Sequence, residues 1–127
     1  NSESLDRWST AGVDCLASHT NARQHIHPEL RIFVDDTEET VPANIGIVPS
    51  CMAEVHTHDF SGTIHIESIL TQKTFTLKQF FDIWDKSLER PGYNLTMTGD
   101  EVANQELGNL ILRDAQKIIL RYQAING

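Results

Sequence analysis

The stretch AEVHTHDFSGTIHIESIL, residues 53–70, alternates polar and apolar side chains on both sides of a Phe-Ser pair. Successive side chains of a strand point to opposite faces. Glu54, His56 and His58 therefore share one face of the first half, opposite Ala53, Val55 and Thr57. In the second half Thr63, His65 and Glu67 oppose Ile64 and Ile66. Phe60 and Ser61 read as the tip of a β-hairpin. A two-residue turn there, or a four-residue one from Asp59 to Gly62, gives a single register that pairs Asp59 with Gly62, His58 with Thr63, His56 with His65 and Glu54 with Glu67. Three imidazoles then stand on one face while the other supplies core. Directly opposed residues have Cβ atoms about 4.5–5.5 Å apart, which lets two imidazoles reach one ion bonded at roughly 2 Å to each nitrogen.

Working outward, RQHIHPELRIFVDD (23–36) reads as a strand with Leu30, Ile32 and Val34 on one face and Pro28 marking an edge or a bulge. His25 and His27 again have the i, i+2 spacing that puts both on one strand face. If this strand lies beside the hairpin, up to five histidines and one or two carboxylates surround one location. DTEET turns the chain, VPANIGIVP (41–49) is a second apolar segment, and strands are expected near 93–98, 107–113 and 117–123, with Gly108 marking a bulge or a close approach. One stretch departs from the β pattern. In TFTLKQFFDIWDKSL (74–88) Leu77, Phe80, Phe81, Trp84 and Leu88 have helical spacing, with Thr76 as N-cap and Pro91-Gly92 as the stop. The aromatic face of this helix is read as core. The expected architecture is a single mostly β domain over residues 1–127, an antiparallel β-sandwich of cupredoxin-like, immunoglobulin-like or small jelly-roll-like design, with one amphipathic helix near 76–88.

Composition limits the partners. The 127 residues carry 10 basic and 18 acidic side chains, a formal charge of −8, which repels nucleic-acid backbones and anionic lipid surfaces and suits cations. No apolar run is long enough to span a bilayer. The chain begins Asn-Ser-Glu-Ser without methionine, which suggests a mature or excised fragment. Cys15 and Cys51 are too far apart for a CxxC motif and read either as two buried thiols or as one disulfide made in an oxidising compartment.

HIHPELRIFVDD, VPANIGI, a cysteine shortly before HTHDFSGTIHIES, and FTLKQFFDIW, in this order, resemble a small family of extracytoplasmic prokaryotic domains with HxHxxLxIxVDG, IPAxIGI, HTHDxTGxIHIE and FTLGQFFxIW blocks. The match covers about residues 13–85. The resemblance implies secretion or membrane anchoring through a removed N-terminal segment. It marks His25, His27, His56, His58, His65 and Glu67 as motif positions, with Cys15 and Cys51 as the bridge. The chain departs from the pattern at Asp36 and Lys78, where glycine is usual.

Imidazole-rich sites suit copper, zinc, nickel or iron, whereas calcium and magnesium prefer oxygen ligands. The expected ligands are His56, His58 and His65, completed or flanked by His25 and His27, with Glu67 as the participating carboxylate. Glu54 is a weaker ligand or base candidate, Asp59 a turn-stabilising side chain, and His19 a surface residue. The leading expectation is an extracytoplasmic protein, periplasmic, surface-bound or secreted, that captures, buffers or delivers copper or zinc. A metalloenzyme with an open coordination position and a metal-free structural envelope domain are the alternatives.

Overall fold

A computed structural model describes residues 2–16 and 22–125. It contains helices α1 (Ser2–Thr10) and α2 (Leu77–Trp84) and strands β1 (Cys15–Leu16), β2 (Gln24–Ile26), β3 (Glu29–Val34), β4 (Thr37–Glu39), β5 (Ile47–Val48), β6 (Cys51–Ala53), β7 (Val55–His56), β8 (His65–Ser68), β9 (Tyr93–Gly99), β10 (Val102–Asn104) and β11 (Lys117–Ala124). Three open sheets form, ordered β1-β6-β5, β2-β8-β7 and β10-β9-β11-β3-β4. All pairings are antiparallel except β11 with β3, and the whole is a small β-sandwich. None of the described helices is long and apolar enough to cross a membrane.

Pro28 divides what reads as one strand into two that belong to different sheets. Proline cannot donate to a ladder, and on either side of it the chain takes new partners: β2 joins β8, and β3 joins β11 and β4. Leu30 and Ile32 are buried as their shared face requires, with Val34 partly so. The backbone of residues 28–30 also grips 62–64, through Leu30 N–H to Gly62 O at 2.8 Å and Ile64 N–H to Pro28 O at 2.8 Å. Gly62 is required there. Its φ is +85°, and a Cβ would stand 2.3 Å from the Leu30 carbonyl oxygen.

Helix α2 begins where its sequence says. Thr76 and Gln79 form a capping box, with Gln79 N–H donating to Thr76 Oγ1 at 3.3 Å and Thr76 N–H to Gln79 Oε1 at 2.8 Å. It ends a turn earlier than the 76–88 expectation, because Asp85 adopts a left-handed φ of 61° and the Lys86 N–H closes back on Phe81 O at 3.0 Å. Leu77, Phe80, Phe81 and Ile83 are buried in one core with Leu30, Ile32, Ile64, Ile66, Ile118, Leu120 and Tyr122. Helix α1 was not expected. Nine residues with few apolar side chains make a marginal helix in isolation, and its stability comes from Trp8, 2% exposed in that same core. Residues 107–113 are not a strand either. Leu107–Asn109 is a 3-10 turn, followed by a single bridge from Ile111 to Thr76. Gly108 does mark a close approach, since a Cβ would come within 3.2 Å of Lys78 Cβ.

The β3–β4 hairpin turns on Asp35 and Asp36, with φ of 46° and 67° and Val34 paired to Thr37. Two successive left-handed residues make a type I′ turn, which favours glycine second. Asp35 Oδ1 accepts from Ala124 N–H at 2.8 Å. Asp36→Gly is therefore expected to stabilise the protein by about 0.5–1 kcal/mol, whereas Asp35→Gly gains nothing because it loses that bond. Urea midpoints of the two variants check this.

Candidate metal centre

The hairpin forms in the expected register at its base and departs from it at its tip. His56 faces His65 and Val55 faces Ile66, and the Glu67 N–H donates to Glu54 O at 2.9 Å. The ladder stops there. Thr63 bridges to Glu29, so the pairs His58–Thr63 and Asp59–Gly62 do not form. The grip of residues 28–30 on 62–64 pulls the second strand away from the first. Asp59 Oδ1 holds the widened loop by accepting from Ser61 N–H at 3.1 Å and Ser61 Oγ at 2.6 Å, and the Ser61 hydroxyl lowers the Asp59 pKa. Released from the ladder, His58 turns back over His56.

That turn brings three donor groups together. His56, with no exposed surface, donates Nδ1–H to Ala53 O at 2.7 Å, which leaves its Nε2 with a lone pair. This Nε2 lies 3.1 Å from His58 Nε2 and 3.1 Å from Glu67 Oε2. Ligand atoms of His56, His58 and Glu67 all lie within 4.8 Å of one another, so the group can hold a metal ion. His56 and Glu67 are buried and His58 is exposed at the rim. Burial pushes the His56 pKa down to about 4, helped by His58 and His65 and opposed by the Ala53 carbonyl and Glu67. At neutral pH this imidazole is therefore a lone-pair donor facing a carboxylate, an arrangement a cation relieves.

The other expected residues take different places. The His65 ring stacks on that of His56, with centroids 5.7 Å apart and planes 9° apart, and sits 4.6 Å from the His58 ring. It adjoins the trio without joining it. Strand β2 does lie beside the hairpin, with His25 paired to Glu67, and His25 Nδ1 is 3.4 Å from Glu67 Oε1. A single carboxylate thus faces the buried imidazole with one oxygen and His25 with the other. His27 lies further out, its ring 5.0 Å from that of His65 and its Nδ1 3.6 Å from Asp114 Oδ1. Five histidines accordingly form a row, not one coordination shell. His19 lies outside the described residues.

Glu54 does not take part. Its buried carboxylate accepts from Ser68 Oγ at 2.6 Å and Asp14 N–H at 2.8 Å and pairs with Lys73 Nζ at 2.6 Å. These bonds occupy it as a structural anchor between β1 and the hairpin, so it is neither ligand nor base. Cys15 and Cys51 form a disulfide that clamps β1 to β6, just ahead of β7. Asp114 was missed, since it is 87 residues from His27 and no motif marks it.

The His56 burial has a pH signature. The unfolded chain takes up this proton near pH 6.5, the folded chain only near pH 4. Between these values the unfolded state binds more protons, so stability is full above pH 6.5 and falls as pH drops toward 4, by about 3 kcal/mol from this residue. Denaturation of chelator-treated protein from pH 7.5 to 4.5 is expected to show that loss, and His56→Gln to flatten it.

Comparison of the chain with protein-family models, with curated proteins and with solved structures finds no match.

Proposed function

We propose that the protein is an extracytoplasmic transition-metal binder that captures, buffers or delivers copper or zinc at His56, His58 and Glu67, with His65, His25 and His27 around them. The observation that carries this reading is the convergence of His56 Nε2, His58 Nε2 and Glu67 Oε2, with the His56 proton committed to Ala53. Two imidazoles and a carboxylate suit zinc and copper(II) better than calcium or magnesium. The charge of −8 favours a cationic ligand, and the Cys15–Cys51 disulfide fits an oxidising compartment. The Ala53 carbonyl, accepting from Nδ1–H, fixes the tautomer and orientation of the buried imidazole, as outer partners of metal ligands do.

Elemental mass spectrometry of protein purified without a histidine tag tests the reading. A near-stoichiometric transition metal, lost in His58→Ala, supports it. Protein that is empty and also refuses added copper and zinc would make the histidines a hydrogen-bonded sheet face and the chain a structural domain.

A second reading, a metalloenzyme, draws on the count of ligands. Three protein groups leave a fourth position at the exposed rim beside His58, where catalytic sites keep a water. Cobalt(II) substitution separates the two: azide that changes the visible spectrum marks an open position, and an unresponsive spectrum marks a closed carrier site.

A further inference from the structure

We infer that the outer part of the histidine row, His27 and His65, binds a second transition-metal ion, more weakly and more open to solvent than the inner trio. This rests on the metal-binding reading of that trio. Two imidazoles bonded to one tetrahedral ion at about 2.0–2.1 Å hold their ring centroids roughly 5 Å apart. The His27 and His65 rings are 5.0 Å apart and almost perpendicular, at 89°. His56 and His58 inside the trio are similarly placed, 4.7 Å apart at 73°. The His56 and His65 centroids stand wider apart, at 5.7 Å, and His58, though 4.6 Å from His65, is committed to the trio, so the row is assigned an inner and an outer position.

His27 is anchored at its backbone by a carboxylate that also stands near its ring. Asp114 Oδ1 accepts from the His27 backbone N–H at 2.8 Å and stands 3.6 Å from its Nδ1. At 3.6 Å the carboxylate does not hydrogen-bond Nδ1; its part is to fix the His27 backbone, and a ring nitrogen of His27 is left to take a metal. The His27 side chain is 45% exposed and that of Asp114 63% exposed, so water completes the shell of any ion held there. With only two protein ligands this position exchanges faster than the trio. The His58 ring, 4.6 Å from His65, lies between the two.

Titration of the full chain with zinc by isothermal calorimetry, repeated with copper(II), tests the inference. Two ions are expected, the second at least about tenfold weaker. His27→Ala is expected to lose the second ion and keep the first, and His25→Ala to keep both. A single ion in the wild type, or a second ion that survives in His27→Ala, overturns the outer position while leaving the trio standing. No bound ion at all overturns both readings together. Circular dichroism of each variant verifies that an ion is not lost through unfolding, and His27 is exposed enough for the fold to be retained.

Discussion

His58→Ala is expected to weaken the most tightly bound metal ion by at least about a hundredfold while the metal-free protein keeps its stability. Loss of a residue that merely orients a ligand costs about 10–100-fold in affinity, and His58 supplies one of the converging nitrogens itself. It is exposed and lies past the end of the ladder, so its removal opens no cavity. Glu67→Gln keeps the shape of the carboxylate and removes its charge, and a loss of similar size is expected. His25→Ala touches the site only through the outer oxygen of Glu67 and should cost about tenfold or less. His56→Ala is a poorer probe, since deleting a buried ring also creates a cavity. Competition against a chromogenic chelator measures the affinities. Unchanged binding in both His58→Ala and Glu67→Gln would refute the assignment of the trio.

The second large effect lies in the covalent link. Replacing Cys15 and Cys51 with alanine is expected to cost about 4 kcal/mol, the chain-entropy value for a 36-residue separation. That is a large share of the roughly 5–15 kcal/mol that holds a domain of this size together. Strand β1 has only two residues, and alone it pairs weakly. Yet it delivers Asp14, whose N–H donates to the buried Glu54 carboxylate and whose carbonyl accepts from Glu54 N–H at 3.0 Å. Cutting the bridge therefore loosens the anchor beneath the hairpin as well as enlarging the unfolded ensemble. Urea denaturation of oxidised and reduced protein measures the difference. A loss below about 1 kcal/mol would mean that β1 is held by its packing alone.

Both predictions draw on features visible to different degrees in the amino-acid order. The capping box at Thr76 and Gln79 is a local pattern, and it starts α2 where expected. The end of that helix was not local in the same sense. Asp85 in a left-handed conformation closes it, although aspartate pays more for that conformation than glycine does. Helix α1 left almost no signal, because its stability comes from Trp8 entering a core built by residues far along the chain. Residues 107–113 had strand-like composition, but Leu107 takes a φ of 51° and the segment packs as a turn beside α2.

For the site, alternation determined that His56, His65 and Glu67 lie on one side and that Ile64 and Ile66 go to the core, while the turn placed at Phe60-Ser61 set His56 opposite His65. A strand's period of two admits no other assignment of faces once one face is apolar. Which histidines converge was a tertiary decision. It depends on Pro28 and Leu30 drawing residues 62–64 out of the hairpin, on Gly62 allowing a carbonyl to approach where a Cβ would collide, and on His58 folding back as a result. Those contacts join segments more than thirty residues apart, and the distances between side-chain nitrogens follow from them. Periodicity assigns a side chain to a face, but only the packing of one sheet against the next sets how far it stands from its neighbours.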